Sequence, residues 1–95
     1  MYYSLWYYKY RFSSFVKLKM EKNTHLIKMG LQIREVRKLK RISQEQLALL
    51  ANVDRSYVGG VERGERNVSF LTLLKIALCL ECNISEFTKN IPHDE

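Results

Sequence analysis

The stretch Ser43-Gln44-Glu45-Gln46-Leu47-Ala48-Leu49-Leu50-Ala51-Asn52-Val53-Asp54-Arg55-Ser56-Tyr57-Val58-Gly59-Gly60-Val61-Glu62 encodes two short helices and the turn between them. Ser43 and Gln46 form a capping box: the Ser43 hydroxyl accepts from the Gln46 amide, and the Gln46 side chain reaches back to the amide of Ser43. The helix runs from Gln44 to Ala51 and buries Leu47, Ala48 and Ala51, with Leu50 joining them. Asn52 tolerates the left-handed backbone that ends a helix sharply. Asp54 is an N-cap residue for the next helix, and Val53 and Val58 hold the staple positions around it. Residues 43–62 therefore read as helix, tight turn, helix. Gly64 closes the second of them.

Working outward, the periodicity from Gly30 is also helical. Ile33, Val36 and Leu39, with Leu31 near the start, mark one apolar face, and Arg34, Arg37, Lys38, Lys40 and Arg41 fill the rest. On the other side Ser69 caps a helix from Phe70 to about Glu81, and Asn83-Ile84-Ser85-Glu86 opens a short one. Nothing in this region alternates as a strand should. The expected fold is all-α, a compact domain of four or five short helices over residues 29–90, followed by a polar tail, 91–95.

The helix from Phe70 is unusually apolar. Phe70, Leu73, Ala77 and Leu80 form one stripe, and Leu71, Leu74 and Leu78 form a second on an adjoining face. A small domain has one core, so the second stripe calls for another subunit or the N-terminal segment. Two-fold dimers are the commonest oligomers, and a homodimer through Leu71, Leu74 and Leu78 is the expectation.

Composition bounds the rest. The chain has 95 residues, 46% apolar and 27% charged, which is ordinary for one globular domain and unlike a disordered chain. Two cysteines do not make a disulfide scaffold, which points to a reducing, cytoplasmic setting. No apolar run approaches the ~20 residues of a membrane span. The formal net charge of +6 favours an anionic partner.

That charge is uneven: Lys9, Arg11, Lys17, Lys19, Lys22 and Lys28 stand against Glu21 alone in residues 1–28. Tyr2, Tyr3, Trp6, Tyr7, Tyr8, Tyr10, Phe12 and Phe15 crowd the same segment. Lys9 and Arg11 interrupt any signal-peptide core, and the aromatics show no single membrane-facing side. Basic residues among aromatics also suit a nucleic-acid arm. Met20 and Met29 are alternative starts, so residues 1–28 are expected to be a basic aromatic extension, loosely ordered or outside the natural product.

Ile33-Arg34-Glu35-Val36-Arg37, Ser43-Gln44-Glu45-Gln46-Leu47-Ala48, Val61-Glu62-Arg63-Gly64 and Leu73-Leu74-Lys75-Ile76-Ala77 with Leu80 together resemble the lambda-repressor-like helix-turn-helix family, also called Cro/CI or XRE. The resemblance covers residues 30–87 without insertion. Asp54-Arg55-Ser56-Tyr57-Val58 and Glu62-Arg63-Gly64-Glu65-Arg66-Asn67 look most like the small controller proteins of restriction–modification systems. The resemblance implies that helix 43–51 crosses a phosphate backbone while helix 54–62 lies in the major groove of double-stranded DNA.

Residue chemistry suits those positions. A helix N-terminus offers unpaired amides to a phosphate, with Ser43 and Gln44 beside them. The first residues of a recognition helix reach base edges, here Arg55, Ser56 and Tyr57. Arg55 can donate two bonds to guanine, or stay solvated; Tyr57 serves a phosphate, a thymine methyl or surface packing. Arg63 and Arg66, after that helix, suit phosphates. A family ion pair maps onto Arg37 and Glu62. Many family members carry a polar side chain where this chain has Gly60, leaving two readings open: close backbone approach, or weaker specificity.

The resemblance implies a dimeric, sequence-specific DNA-binding transcriptional regulator of a restriction–modification or phage operon. The rival reading is an antitoxin-like protein-interaction module on the same fold. Cys79 and Cys82 make a C-x-x-C pair, but a structural zinc site needs four ligands and only His25 and His93 remain. Both cysteines are therefore expected to be small buried hydrophobes. Nucleophile, base and orienting group do not converge, so no enzyme activity, metal, cofactor, small-molecule ligand or membrane contact is expected.

Overall fold

Five helices surround one core in the computed structural model, which describes residues 23–93: α1 (Thr24–Leu39), α2 (Gln44–Ala51), α3 (Arg55–Glu62), α4 (Phe70–Cys79) and α5 (Ser85–Thr88). No strand occurs among the described residues, and none of their helices is long and apolar enough to cross a membrane. The aromatic run of residues 1–15 lies outside them.

The first helix starts at Thr24, not at Gly30. Asn23 is its N-cap: the side-chain oxygen accepts from the amides of His25 (2.9 Å) and Leu26 (3.2 Å). Residues 24–28, assigned from sequence to the extension, thus form the opening of α1. Gly30 then lies mid-helix for a packing reason. A Cβ there would fall 2.6 Å from the Glu62 carbonyl oxygen, so only glycine lets α1 lie against the end of α3.

The buried stripe of α1 is Met29, Ile33 and Arg37, with Leu26 and Val36 beside it. Leu31 and Leu39 are not part of it, and Leu39 is 80% exposed. The cause is the burial of Arg37, one helical repeat after Ile33, which turns position 39 toward solvent.

The capping box of α2 forms as expected, with Gln46 N donating to Ser43 Oγ (3.0 Å) and Ser43 N to Gln46 Oε1 (2.8 Å). Leu47, Ala48 and Ala51 are buried, whereas Leu50 is exposed, because α2 inserts between α3 and α4 along the 47/48/51 edge only. Asn52 takes the left-handed conformation (φ 56°) and turns the chain into α3. After α3, Gly64 does the same (φ 75°), and a Cβ there would lie 2.6 Å from Ile27 N. The opening of α1 therefore packs on the loop after α3.

Ser69 caps α4 through Thr72 N (3.1 Å). Leu73, Ile76, Ala77 and Leu80 face the core, but Phe70 does not: it is the first residue of α4, a full turn before the helix meets the core at Leu73. The short α5 inserts Phe87, which is fully buried, against α1. Lys28 Nζ and Gln32 Nε2 then tie α1 to the carbonyls of Asn90 (2.8 Å) and Lys89 (3.0 Å).

Candidate nucleic-acid interface

One buried polar network sets α1, α2 and α3 relative to one another. Arg37 Nε and Nη2 donate to Glu62 Oε2 (2.6 Å) and Oε1 (3.0 Å), a bidentate pair with both side chains nearly sealed from water. Arg37 Nη1 donates to the Ile42 carbonyl (2.9 Å), holding the turn before α2. Gln44 Nε2 donates to Glu62 Oε1 (2.9 Å). Gln44 thus belongs to the network as well as to the start of α2. An amide nitrogen carries two hydrogens, so one N–H of Gln44 remains for another acceptor.

The start of α2 presents Ser43, whose oxygen already accepts a capping bond while its hydroxyl hydrogen stays available to an incoming acceptor. At the start of α3, Arg55 and Ser56 are exposed. Asp54 occupies the N-cap position but makes no side-chain cap bond; its carbonyl takes the Tyr57 and Val58 amides instead, at 3.0 and 3.2 Å. Arg55 Nε stands 3.8 Å from Glu45 Oε1, with the two side chains 64% and 76% exposed. A pair that open holds Arg55 only loosely. Tyr57 is half-buried at the edge of the core.

The two glycines of α3 make room for two arginines. A Cβ at Gly59 would meet Arg63 Nη1 at 3.0 Å, and one at Gly60 would meet Arg66 Cγ at 3.0 Å and Nε at 3.2 Å. Arg63 also pairs with Glu65 (Nε to Oε1, 3.1 Å). The Arg66 guanidinium sits 5.6 Å from the centroid of the Tyr57 ring. At Gly60 the space a side chain would take is filled in the free protein by a side chain from the following loop. No local sequence signal announces this, because the partners are brought together only by the turn at Gly64.

Leu71 and Leu78 are 76% and 77% exposed on one side of α4, and Leu74 is half-buried beside them. Cys79 and Cys82 are free thiols, half-buried rather than buried, and pack on the rim of the core. Burial pushes the Cys82 thiol up from its ordinary 9.0; Lys40 pulls it back in part and Glu86 adds to the rise.

A helix-turn-helix family model matches residues 33–87 of the chain. Control protein C.SmaI of Serratia marcescens is 42% identical over 52 residues, covering 55% of this chain and 62% of that protein's length. The crystal structure of the restriction–modification controller protein C.AhdI from Aeromonas hydrophila superposes with a TM-score of 0.67 at 51% identity, over 68% of this chain and 98% of that one. The controller protein C.Esp1396I, solved as a tetramer in complex with its natural 35 base-pair operator, gives a TM-score of 0.63 at 35% identity, over 68% of this chain and 86% of that one. With the family model spanning more than half its length, and the capped helix pair, left-handed turn and Arg37–Glu62 lock all in place, this chain belongs to the helix-turn-helix family.

Proposed function

We propose that this protein is a sequence-specific DNA-binding transcriptional regulator that works as a homodimer in the cytoplasm and controls a restriction–modification operon. The observation that carries the reading is the locked α2–α3 pair, which presents Arg55 and Ser56 exposed at the start of α3. The amides opening α2, with Ser43 and the remaining N–H of Gln44, hold a phosphate. That contact sets the depth at which α3 enters the major groove. Arg55, Ser56 and Tyr57 then face base edges, and Arg63 adds a phosphate contact on the flank. The work is binding rather than catalysis.

The exposed Leu71 and Leu78, with Leu74, form the dimer face. A two-fold dimer reads half-sites about 34 Å apart, one turn of the duplex. The relatives include control proteins and a phage immunity repressor, which favours this reading over an antitoxin-like module.

The test is fluorescence anisotropy with the duplex upstream of the protein's own gene and a scrambled duplex, at two salt concentrations. At least tenfold tighter binding to the native duplex at both salts is expected. Equal, steeply salt-dependent binding to the two would reduce the interaction to phosphate attraction and refute operator recognition there.

A further inference from the structure

We propose that Arg34, Lys38 and Arg41 form a phosphate track along α1 that grips the duplex outside each half-site. This inference rests on the DNA-binding reading and carries the contact beyond the helix-turn-helix. Arg34 and Lys38 stand four apart on one face of α1, and Arg41 follows just past its end, a row about 10 Å long. All three are exposed, and their side chains make no hydrogen bond or ion pair among the described residues. Glu35, the one acidic residue of α1, pairs with none of them. Arg41 adds an independent sign. Its φ of 59° is left-handed, a backbone that glycine adopts freely and arginine does not. The chain carries that strain to hold a cation two residues before Ser43.

The neighbours of the row fix where it lies. Gly30, one turn before Arg34, rests against the end of α3, where a Cβ would fall 2.6 Å from the Glu62 carbonyl oxygen. Arg34 therefore sits on the flank of α1 that borders the recognition helix. At the other end, Arg37 Nη1 donates to the Ile42 carbonyl (2.9 Å), which holds Arg41 beside the start of α2. The row thus begins at the proposed phosphate contact and leads away from it. The dimer leucines lie on α4, which packs on α2, whereas α1 packs on α3 and α5. The row and the two-fold axis are then on different sides of the domain, and in the dimer the row meets the outer, flanking duplex. One strand carries a phosphate every ~3.4 Å of helix axis, so a row of this length spans about three.

The experiment uses the full chain and duplexes carrying the motif it enriches from a randomised library, ending either at the motif or about one turn (~10 base pairs) beyond it on both sides. By anisotropy the wild type is expected to bind the extended duplex about tenfold tighter, with a steeper loss of affinity on adding salt. The triple change Arg34→Ala, Lys38→Ala and Arg41→Gly loses most of that gain. It keeps the wild-type affinity for the short duplex and the preference over a scrambled one. Arg41→Gly alone reduces the gain while its melting temperature rises by roughly 4–8 °C, so the weaker binding does not come from a looser fold. A wild type indifferent to length, or a triple variant that gains as much as the wild type, overturns the track and leaves operator recognition standing. Failure of the wild type to enrich any motif overturns operator recognition and the track with it.

Discussion

Glu62 accepts three hydrogen bonds from two helices, and its loss would strand the Arg37 guanidinium in a nearly dry site. Arg37→Ala, which strands the carboxylate instead, is expected to cost about 3–5 kcal/mol, because one unpaired buried charge is worse than none. Urea denaturation checks this, and the double change Arg37→Met with Glu62→Leu should recover most of the loss. The pairing was expected from the family resemblance, but Gln44 as its third member was not. A glutamine opening a helix reads equally well as a phosphate donor, and only the fold brings Glu62 within reach.

Cys82 supports a second prediction at this scale. Its thiol titrates above its ordinary range in the folded chain, so the neutral form is favoured there. The stability this lends is fully present below the unfolded thiol's pKa and is lost as pH rises through the folded one. Stability should therefore fall more steeply above about pH 9 in the wild type than in Cys82→Ala, read from urea titrations at a series of pH values.

At the scale of elements, four helices end in the same way. The amides of Ile42, Val53, Glu65 and Cys82 bond back to the carbonyls of Arg37, Ala48, Gly60 and Ala77, each after a left-handed residue: Arg41, Asn52, Gly64 and Glu81. Asn52 and Gly64 were legible as stops because their residue types favour that conformation. Arg41 and Glu81 were not, since neither side chain does, and tertiary packing imposes their φ of 59° and 53°. Glu81→Gly should stabilise the domain by about 1 kcal/mol, raising the melting temperature by roughly 4–8 °C in a calorimetric scan. The start of α1 escaped the sequence reading for a related reason: the Asn23 cap precedes a turn, Thr24 to Ile27, that lacks a clear apolar face until it meets Gly64 and α5.

At the scale of the molecule, the proposed dimer rests on the exposed leucines of α4. Leu71→Glu with Leu78→Glu should give a monomer in sedimentation equilibrium, with helical circular dichroism unchanged because neither side chain contributes to the core. A variant that still dimerises would place the interface elsewhere. Leu39 and Leu50, by contrast, were expected inside and lie outside. A helical wheel identifies a stripe, but which edge of it faces inward depends on where the neighbouring helices come to rest.

The helix-turn-helix was legible in the amino-acid sequence: the capping box at Ser43, the left-handed stop at Asn52 and the cap at Ser69 are local matters of hydrogen bonding and backbone conformation. Only the tertiary structure decided the lock of Gln44 onto Glu62, the close approach of α1 at Gly30 and the placement of Arg66 over Gly60. Each depends on residues distant along the chain or joined across a turn, and such contacts leave no periodic trace in sequence.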